Sequence, residues 1–376
     1  MCTDFMLPVQ AGNPLISART MDFTASLFNT YLVKVPVGQQ FQSDAPGKEG
    51  AGKGVAWRCD YGFVGFAVIP EIPSGTAGKK TSDPISPNQV YGDGMNSQGL
   101  SVGTLWLSYT EYEQKKPETE DRTCLDAKFI VGYLLGTCKR VAEVKAQLEK
   151  LTVWIAPEML NYDPVHLSVH DSAGESMVVE FLNGRTKFYR NDEIGVLTNG
   201  PVYEWQAINH NYYFNALTNR DSPRDRYITF KEEPSGFTEP VETRQGSDVL
   251  GSGMFGLPGE SSSPARFVRA AALRNCIPAQ YDARHGVQYA LQVLGRIAVC
   301  EQEIRLEDEA AGKPQYNPTL WMTVRDHTHR VVYYATHLNH NIKAVDLNKL
   351  DFNDKKVTST LMNNENWFID TTGDLT

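Results

Sequence analysis

The 376-residue chain lacks any long apolar run and any dense run of lysine or arginine. Because a helix needs roughly 18 consecutive apolar residues to cross a bilayer, we predict no membrane span. The formal net charge of −9 at pH 7 argues against nucleic acid or an anionic membrane as a partner. The first residues also lack the basic and apolar regions of a signal peptide. We expect a cytoplasmic protein if Met1 is the native start, and a periplasmic one if a signal peptide has been removed.

Cysteine is sparse, and its spacing excludes the familiar metal and redox motifs. The chain has six cysteines and no Cys-x-x-Cys pair. In a large chain without secretory features, reduced thiols are expected rather than disulfides. No cysteine or carboxylate set completes a ligand group beside the histidines that lie close together near the C-terminus. These are His327, His329, His337 and His340. We therefore predict no metal site and no cofactor.

The apolar content is high enough for a sizeable core, and its arrangement indicates a mixed fold. Hydrophobic residues make up 41% of the chain. Alternating segments typical of strands lie at both ends, and segments with helical spacing lie between them. The predicted helices are Leu125–Leu135, Val141–Leu151, Ala283–Ile297 and Arg266–Asn275, the last capped by Ser263 with Pro264 at its first position. This order predicts an α+β fold of two stacked antiparallel sheets covered by helices.

Cys2 is the residue whose context most strongly indicates catalysis. If the preceding residue is removed, Cys2 carries a thiol together with a free α-amine, whose ordinary pKa of about 8 lets it act as a base near neutral pH. A hairpin from Cys2–Leu7 back to Ile16–Phe23 would bring Arg19 and Asp22 beside it. An aspartate there can hold the amine, and an arginine beside sulfur favours the thiolate. The alternative is an ordinary surface pair of Arg19 with Asp22.

Six sequence blocks in order carry a resemblance to a known family. They are Met1–Thr3, Ser17–Phe23, Tyr61–Gly65, Asp93–Leu100, Val196–Pro201, and Leu257–Gly259 with Ser262–Arg269. Together they resemble the choloylglycine hydrolase family, which comprises bile salt hydrolases and penicillin V acylases of the N-terminal-nucleophile hydrolase class. The resemblance runs from Cys2 to about Phe352, which is nearly the whole chain.

The resemblance implies a fold and an organisation for the chain. It implies a four-layer αββα sandwich, with two antiparallel sheets between helix layers, of the N-terminal-nucleophile hydrolase type. Residues 1–376 would form a single catalytic domain. The polar segment 209–252 has no clear period and is interpreted as an oligomer contact, with a disordered surface excursion as the alternative. A homo-oligomer, either a dimer or a tetramer, follows from the first interpretation.

The resemblance also implies roles for individual residues. Cys2 would supply both the nucleophile and, through its own amine, the proton shuttle. Asn199 matches the family's oxyanion-hole asparagine, and Asn96 matches the position whose backbone N–H completes that hole. Arg266 matches an arginine of the active centre, which would act through its charge and by positioning near Cys2. From the residues alone, Asn199 could instead be a turn-forming asparagine before Gly-Pro.

Three aromatic residues beside these motifs could form an apolar acyl pocket, namely Phe23, Tyr91 and Trp106. Each could equally be a core aromatic. The pocket interpretation is strongest for Phe23, which follows Asp22 directly. His166 lies in an apolar segment, which is typical of a histidine satisfied within the core rather than of a catalyst.

The predicted function is hydrolysis of a linear amide through a thioester on Cys2. The small-molecule substrate would donate phenoxyacetyl from penicillin V, a bile acyl group from its glycine or taurine conjugate, or a fatty acyl group from an N-acyl homoserine lactone. The aromatic residues favour the penicillin V acylase-like activity. Two alternatives stay open, a non-catalytic protein that binds acylated amphiphiles and the glutaminase domain of an amidotransferase. Against the glutaminase, the Cys-Gly-Ile opening and an attached synthetase or transferase domain are absent.

Overall fold

Two antiparallel sheets lie face to face in the computed structural model of the chain. The structure describes residues 1–24, 28–46, 52–70, 87–114, 123–156, 164–214, 217, 227–232, 238–243, 253–306, 314–363 and 367–371. The six-stranded sheet has the order β14 (Val196–Leu197), β1 (Cys2–Met6), β2 (Ile16–Asp22), β19 (Thr319–Asp326), β20 (Val331–Thr336) and β21 (Asn339–Asp346). The eight-stranded sheet has the order β13 (Arg185–Arg190), β12 (Ser176–Leu182), β11 (Val165–His170), β8 (Ser101–Trp106), β7 (Tyr91–Asn96), β6 (Phe63–Pro70), β3 (Phe28–Val35) and β22 (Thr358–Leu361).

Short strand pairs and helices complete the described part of the chain. The pairs are β4 (Gln40–Ala45) with β5 (Gly52–Arg58), β9 (Cys124–Asp126) with β10 (Thr152–Trp154), β15 (Tyr227–Glu232) with β16 (Thr238–Thr243), and β17 (Arg305–Leu306) with β18 (Gln315–Tyr316). The helices are α1 (Ile130–Thr137), α2 (Val141–Leu148), α3 (Tyr203–Phe214), α4 (Ser263–Arg274) and α5 (Ala283–Gly295), with 3₁₀ turns at Ala127–Phe129 and Leu347–Lys349. Among these described helices, none has the length and apolar character needed to span a membrane.

Helices cover the outer face of each sheet, which gives four layers. Helix α1 packs on β7 and β8 of the larger sheet, whereas α4 and α5 pack on β1, β2 and β19 of the smaller sheet. An apolar core that includes Phe63 and Leu134 fills the space under α1. A second core that includes Phe5 and Phe267 lies under α4 and α5. The α+β fold with αββα layer order is therefore confirmed.

The helix predictions are confirmed with shifted ends. The segment Leu125–Leu135 begins as strand β9 and a 3₁₀ turn, because Asp126 accepts from the Lys128 N–H at 3.0 Å and caps that turn. Helix α1 therefore starts only at Ile130. For α4 the cap is Ser262 rather than Ser263, since the Ser262 hydroxyl accepts from the Ala265 N–H at 3.4 Å.

Helix α3 is not predicted from the sequence, and the reason is its apolar residues on more than one side. Trp205, Ile208 and Tyr212 form an exposed face, at 44%, 70% and 80% exposure, whereas Tyr203 is buried on the other side, so the helix lacks a clean amphipathic pattern. The predicted contact segment 209–252 takes in the end of α3 together with β15 and β16. Most of its other residues lie outside the described part of the chain, and the oligomer contact stays a prediction.

The hairpin of β1 and β2 is the frame on which the site is built, as predicted. The strands pair antiparallel, with Asp4 opposite Arg19. Side chains alternate between the two faces of a strand. Cys2, Asp4 and Arg19 consequently face the larger sheet, whereas Thr3 and Phe5 face the layer of α4 and α5.

A buried ionic cluster joins the two sheets beside this hairpin. Arg325 of β19 donates to Asp4 at 2.5 Å and to Asp93 of β7 at 2.9 Å, and His170 of β11 lies 2.7 Å from Asp4. All four side chains are fully buried. Burial works to raise the pKa of the Asp4 carboxyl, but Arg325 and His170 outweigh it and hold that pKa well below its usual range. The carboxylate therefore stabilises the fold above the ordinary carboxyl pKa, and this contribution is lost as the pH falls towards the lowered value.

Removing the cation of this cluster should strongly destabilise the fold. Arg325→Met removes the guanidinium that binds both buried carboxylates, Asp4 and Asp93, which we expect to lower the free energy of unfolding by about 3–5 kcal/mol at neutral pH. Urea denaturation measures the loss. In the matched control, Arg190→Met, the side chain is 83% exposed beside Asp192, and the loss should stay below about 1 kcal/mol. Equal losses in the two variants would contradict the role of the cluster.

Candidate active site

The Cys2 sulfur lies between the sheets beside a fixed cation. Arg19 Nη2 is 3.5 Å from Cys2 Sγ, and the same guanidinium donates to the carbonyls of Gly92 and Thr104. Cys2 is 3% exposed and Arg19 is fully buried, so water screens their interaction little. Burial opposes the charge on Arg19, but Cys2 and Asp93 keep its pKa raised. A buried cation beside sulfur favours the thiolate over the thiol.

The backbone nitrogen of Cys2 meets a different group of residues. It donates to Asn199 Oδ1 at 2.8 Å. The Asp22 N–H donates to the Met1 carbonyl at 2.8 Å, and the Asp22 carbonyl accepts from the Met1 amine. The Asp22 carboxylate is buried: Oδ1 accepts from Thr319 at 2.7 Å, while Oδ2 has no hydrogen-bond partner among the described residues. A buried carboxylate oxygen in this position suits an amine as its partner.

Arg266 reaches the start of β1 from helix α4. Its Nη1 donates to the Cys2 carbonyl and to Thr3 Oγ1, both at 2.6 Å, and its Nη2 donates to Asn199 Oδ1 at 2.7 Å. Nη1 also lies 3.8 Å from Asp22 Oδ2. Burial lowers the pKa of Arg266, and the charges of Asp22 and Cys2 oppose that shift. The guanidinium thus ties the helix layer to the hairpin and to the loop after β14.

The side chain of Asn199 is fixed at both ends. Its Oδ1 accepts from Cys2 and Arg266, and its Nδ2 donates to the Trp106 carbonyl at 2.8 Å. A primary amide nitrogen carries two hydrogens, so the Trp106 carbonyl uses only one of the two N–H groups of Asn199. An amide N–H held beside a nucleophile is a donor of the kind that stabilises an oxyanion. The structure brings together five of the predicted site residues, namely Cys2, Arg19, Asp22, Asn199 and Arg266.

Asn96 lies apart from this group. The predicted role requires an available backbone N–H, but this N–H donates to the Leu100 carbonyl at 2.9 Å and closes the turn after β7. The side-chain amide donates to the carbonyls of Leu135 at 2.9 Å and Cys138 at 2.7 Å, where α1 ends. Asn96 is thus at the opposite end of β7 from Gly92, which contacts Arg19. In this structure it organises a turn.

The three predicted pocket aromatics occupy different places. Tyr91 is buried on the α1 side of the larger sheet, with its ring 5.4 Å from that of Phe63 and its hydroxyl donating to the Pro87 carbonyl at 2.8 Å. It is therefore a core aromatic. Phe23 packs at the edge of the apolar cluster between the sheets, and Trp106 is half-buried. For these two, the pocket role stays a prediction.

Sequence reasoning missed the glycine that makes room for Arg19. A Cβ on Gly103 would lie 2.8 Å from Arg19 Nη1. Glycine inside a strand often marks a place where another group approaches the strand backbone closely. Gly92 and Gly103, in successive strands, are such an indication. Sequence reasoning also missed the carbonyls of Thr104 and Trp106, because every residue type has a backbone carbonyl and the sequence does not show which ones accept.

The C-terminal histidines do not gather around a ligand site. His327 is fully buried, with Nε2 at 2.7 Å from the Ser17 hydroxyl and Nδ1 at 2.8 Å from the Gly99 carbonyl. Burial lowers the pKa of His327 to about 3, so its ring is neutral. His329 lies 2.7 Å from Asp326 in the turn after β19. Within the described ranges, no three or more His, Cys, Asp and Glu side chains are arranged to hold a metal ion.

The fold and the site together define a class of enzyme. A cysteine at the start of an internal strand, inside an αββα sandwich of two antiparallel sheets, is the architecture of N-terminal-nucleophile hydrolases. Residues 2–360 match the family model of the linear amide C–N hydrolases, choloylglycine hydrolase family. The chain belongs to this family, and it is a hydrolase of linear amides.

Relatives with curated names and a solved structure agree with this placement. The bile salt hydrolase/transferase of Lactiplantibacillus plantarum is 33% identical over 262 residues, which cover 69% of this chain and 74% of that protein. The penicillin V acylase of Pectobacterium atrosepticum is 24% identical over 365 residues, which cover 93% of this chain and 82% of that protein. A variant of the conjugated bile acid hydrolase from Clostridium perfringens has a TM-score of 0.72 at 22% identity, covering 99% of this chain and 100% of that one. This last likeness confirms the fold.

Gly103 gives a direct test of the contact between Arg19 and the sulfur. In Gly103→Ala the new methyl would displace the Arg19 guanidinium, so we expect iodoacetamide to alkylate Cys2 several-fold more slowly near neutral pH. Peptide-resolved mass spectrometry measures the rate, with the exposed Cys276 and Cys300 as internal references. Gly92→Ala is the matched control, because its methyl would make only ordinary contact at 3.4 Å with the Met21 methyl group. Unchanged alkylation in Gly103→Ala would rule out the proposed influence of Arg19.

Proposed function

We propose that Cys2, once its own amine is freed, hydrolyses an N-acyl amide by covalent catalysis. The observation that carries the proposal is the position of this one residue. Its sulfur lies 3.5 Å from Arg19 Nη2, while its backbone nitrogen lies 2.8 Å from Asn199 Oδ1. Nucleophile, base and oxyanion donor would therefore act on one carbonyl group. A separate histidine is not needed, because the amine of Cys2 takes its place.

The proposed reaction has two stages. In the first, Cys2 Sγ bonds to the substrate carbonyl carbon, and the Asn199 N–H stabilises the oxyanion of the tetrahedral intermediate. The C–N bond then breaks as the amine passes the thiol proton to the leaving nitrogen, which gives a thioester. In the second stage water adds to the thioester carbonyl and gives a proton to the amine. The C–S bond breaks, the acid leaves and the thiol is restored.

The base depends on removal of whatever precedes Cys2. Burial lowers the pKa of the Met1 amine, while the nearby Cys2 and Asp22 act in the opposite direction. An amine on Cys2 would also be buried, where the same desolvation favours its neutral, basic form. In our proposal the Oδ2 atom of Asp22 then holds that amine, and Arg266 keeps both in place.

The proposed substrate class is an N-acyl amide with a bulky apolar acyl group, flanked by Phe23 and Trp106. The names of the relatives point to bile salt conjugates and penicillin V for those proteins. Apolar fit distinguishes one acyl group from another by only ~1–3 kcal/mol, so a parallel assay is required. It compares penicillin V, glycocholate, taurocholate and a long-chain N-acyl homoserine lactone. Binding without hydrolysis would indicate the amphiphile-binding alternative, and hydrolysis of glutamine alone would indicate a glutaminase.

Removal of the nucleophile should nearly abolish turnover of the best substrate in this panel. We expect Cys2→Ser to lower kcat by roughly 10³-fold or more, since a hydroxyl is far less acidic than a thiol. Circular dichroism checks that the fold is retained. The control is Cys276→Ser, which changes an exposed thiol and should leave turnover intact. Undiminished turnover by Cys2→Ser would exclude Cys2 as the nucleophile.

Processing of the chain start should decide whether the protein is active. While Met1 is attached, the Cys2 nitrogen belongs to a peptide bond and cannot accept a proton, so such material should be inactive or severely slowed. Intact-mass measurement on active and inactive fractions shows which of them retains Met1. Treatment with a methionine aminopeptidase should convert the inactive fraction into the active one. Full activity in material that retains Met1 would exclude the amine as the base.

A further inference from the structure

The peptide groups that carry Asn199 lie outside the sheet. Strand β14 ends at Leu197, which pairs with Asp4 of β1. Beyond that pair, Thr198 and Asn199 continue without a strand partner, although both are buried, at 0% and 5% exposure. Buried backbone groups that no strand binds need other partners, such as polar side chains.

Three buried side chains from three other elements supply those partners. His166 of β11 lies 2.9 Å from the Thr198 carbonyl through Nε2. Ser263 of α4 accepts from the Asn199 N–H at 2.9 Å, and Gln206 of α3 donates to the Asn199 carbonyl at 3.3 Å. We call His166, Gln206 and Ser263 the Asn199 cradle. The cradle binds both sides of the residue whose side chain reaches the Cys2 nitrogen.

His166 has a defined donor within this cradle. A carbonyl oxygen only accepts, so the Nε2 atom that faces Thr198 must carry a hydrogen. On the other side of the ring, Nδ1 lies 3.2 Å from Glu180 Oε1, and both residues are fully buried. Glu180 is itself fixed, because it accepts from the Tyr203 N–H at 2.8 Å.

We propose that the Asn199 cradle positions Asn199 for the oxyanion, so that His166, which Glu180 holds in place, is a positioning residue of this hydrolase. This inference rests on the proposed function. Rotation of the peptide between Thr198 and Asn199 would swing the side-chain amide away from the reacting carbonyl. Displacement of a catalytic group by about 1 Å can cost up to roughly 10²-fold in rate.

Two conservative variants of His166 separate its two nitrogens. The amide of glutamine falls near Nε2 and can still donate to the Thr198 carbonyl, whereas the shorter asparagine ends near Nδ1 and cannot reach it. We expect His166→Asn to lower kcat on the best panel substrate by about 10- to 100-fold with little change in KM. His166→Gln should keep kcat within about threefold of the wild type. Equal activity of the two variants would overturn the inference.

A double-mutant cycle shows whether His166 acts through Asn199. Asn199→Ala alone should lower kcat by about 10²–10³-fold. In that background His166→Asn should cause no further loss, because the group that it positions is already gone. If His166→Asn lowers kcat in the Asn199→Ala background as much as in the wild type, His166 does not act through Asn199, and the inference is overturned.

The outcomes also separate this inference from the proposed function. If kcat falls in Asn199→Ala but stays at the wild-type value in a folded His166→Asn, the inference fails and the proposed function stands. If Asn199→Ala keeps full kcat, the oxyanion role fails and the inference fails with it. Should circular dichroism show that His166→Asn does not fold, Ser263→Ala takes its place in the cycle. Ser263→Ala should lower kcat at constant KM in the wild type and cause no further loss in the Asn199→Ala background. An unchanged kcat in Ser263→Ala would overturn the inference.

Discussion

The buried guanidinium of Arg266 is the interaction on which the rest of the site depends. Taking a guanidinium out of water costs several kcal/mol unless its N–H groups find acceptors. Here the acceptors are the Cys2 carbonyl, the Thr3 hydroxyl, the Asn199 amide and, for Nε, the Ser261 carbonyl at 3.0 Å. The Arg266 guanidinium therefore finds its acceptors only when α4, β1 and the loop after β14 are together in their native positions. Docking of the helix layer and assembly of the site are coupled.

Local sequence patterns are sufficient to predict the elements that form between residues close together in the chain. Alternation around a turn predicted the β1–β2 hairpin, and with it the approach of Arg19 and Asp22 to Cys2. The start of α4 was predicted one residue late, because Ser262 and Ser263 are equivalent caps in sequence. The structure uses the first hydroxyl as the cap and the second to hold the backbone beyond β14. Only a tertiary contact distinguishes two such adjacent serines.

The remaining features depend on contacts between segments far apart in the chain. Tyr91 stands beside a catalytic-looking motif, yet its strand direction turns it towards α1 and into the core. Asn96 closes its own turn, which residue type and position do not reveal. His166 was correctly expected in the core, but its importance comes from the carbonyl that it meets 32 positions later in the chain. Pairings of this kind follow from sheet order, which single-sequence patterns do not specify.

The ionic cluster between the sheets also has a consequence for folding fidelity. A slip of one residue in the pairing of β1 would turn Asp4 towards the helices and Phe5 into the cluster. Arg325 would then be buried without one of its two carboxylates, and Cys2 would leave Arg19. An apolar interior at this point would oppose such a slip less, because no buried charge would lose its partner. The cost of an unpaired buried charge makes the slipped register unfavourable, so correct strand register and the contact of Cys2 with Arg19 are coupled.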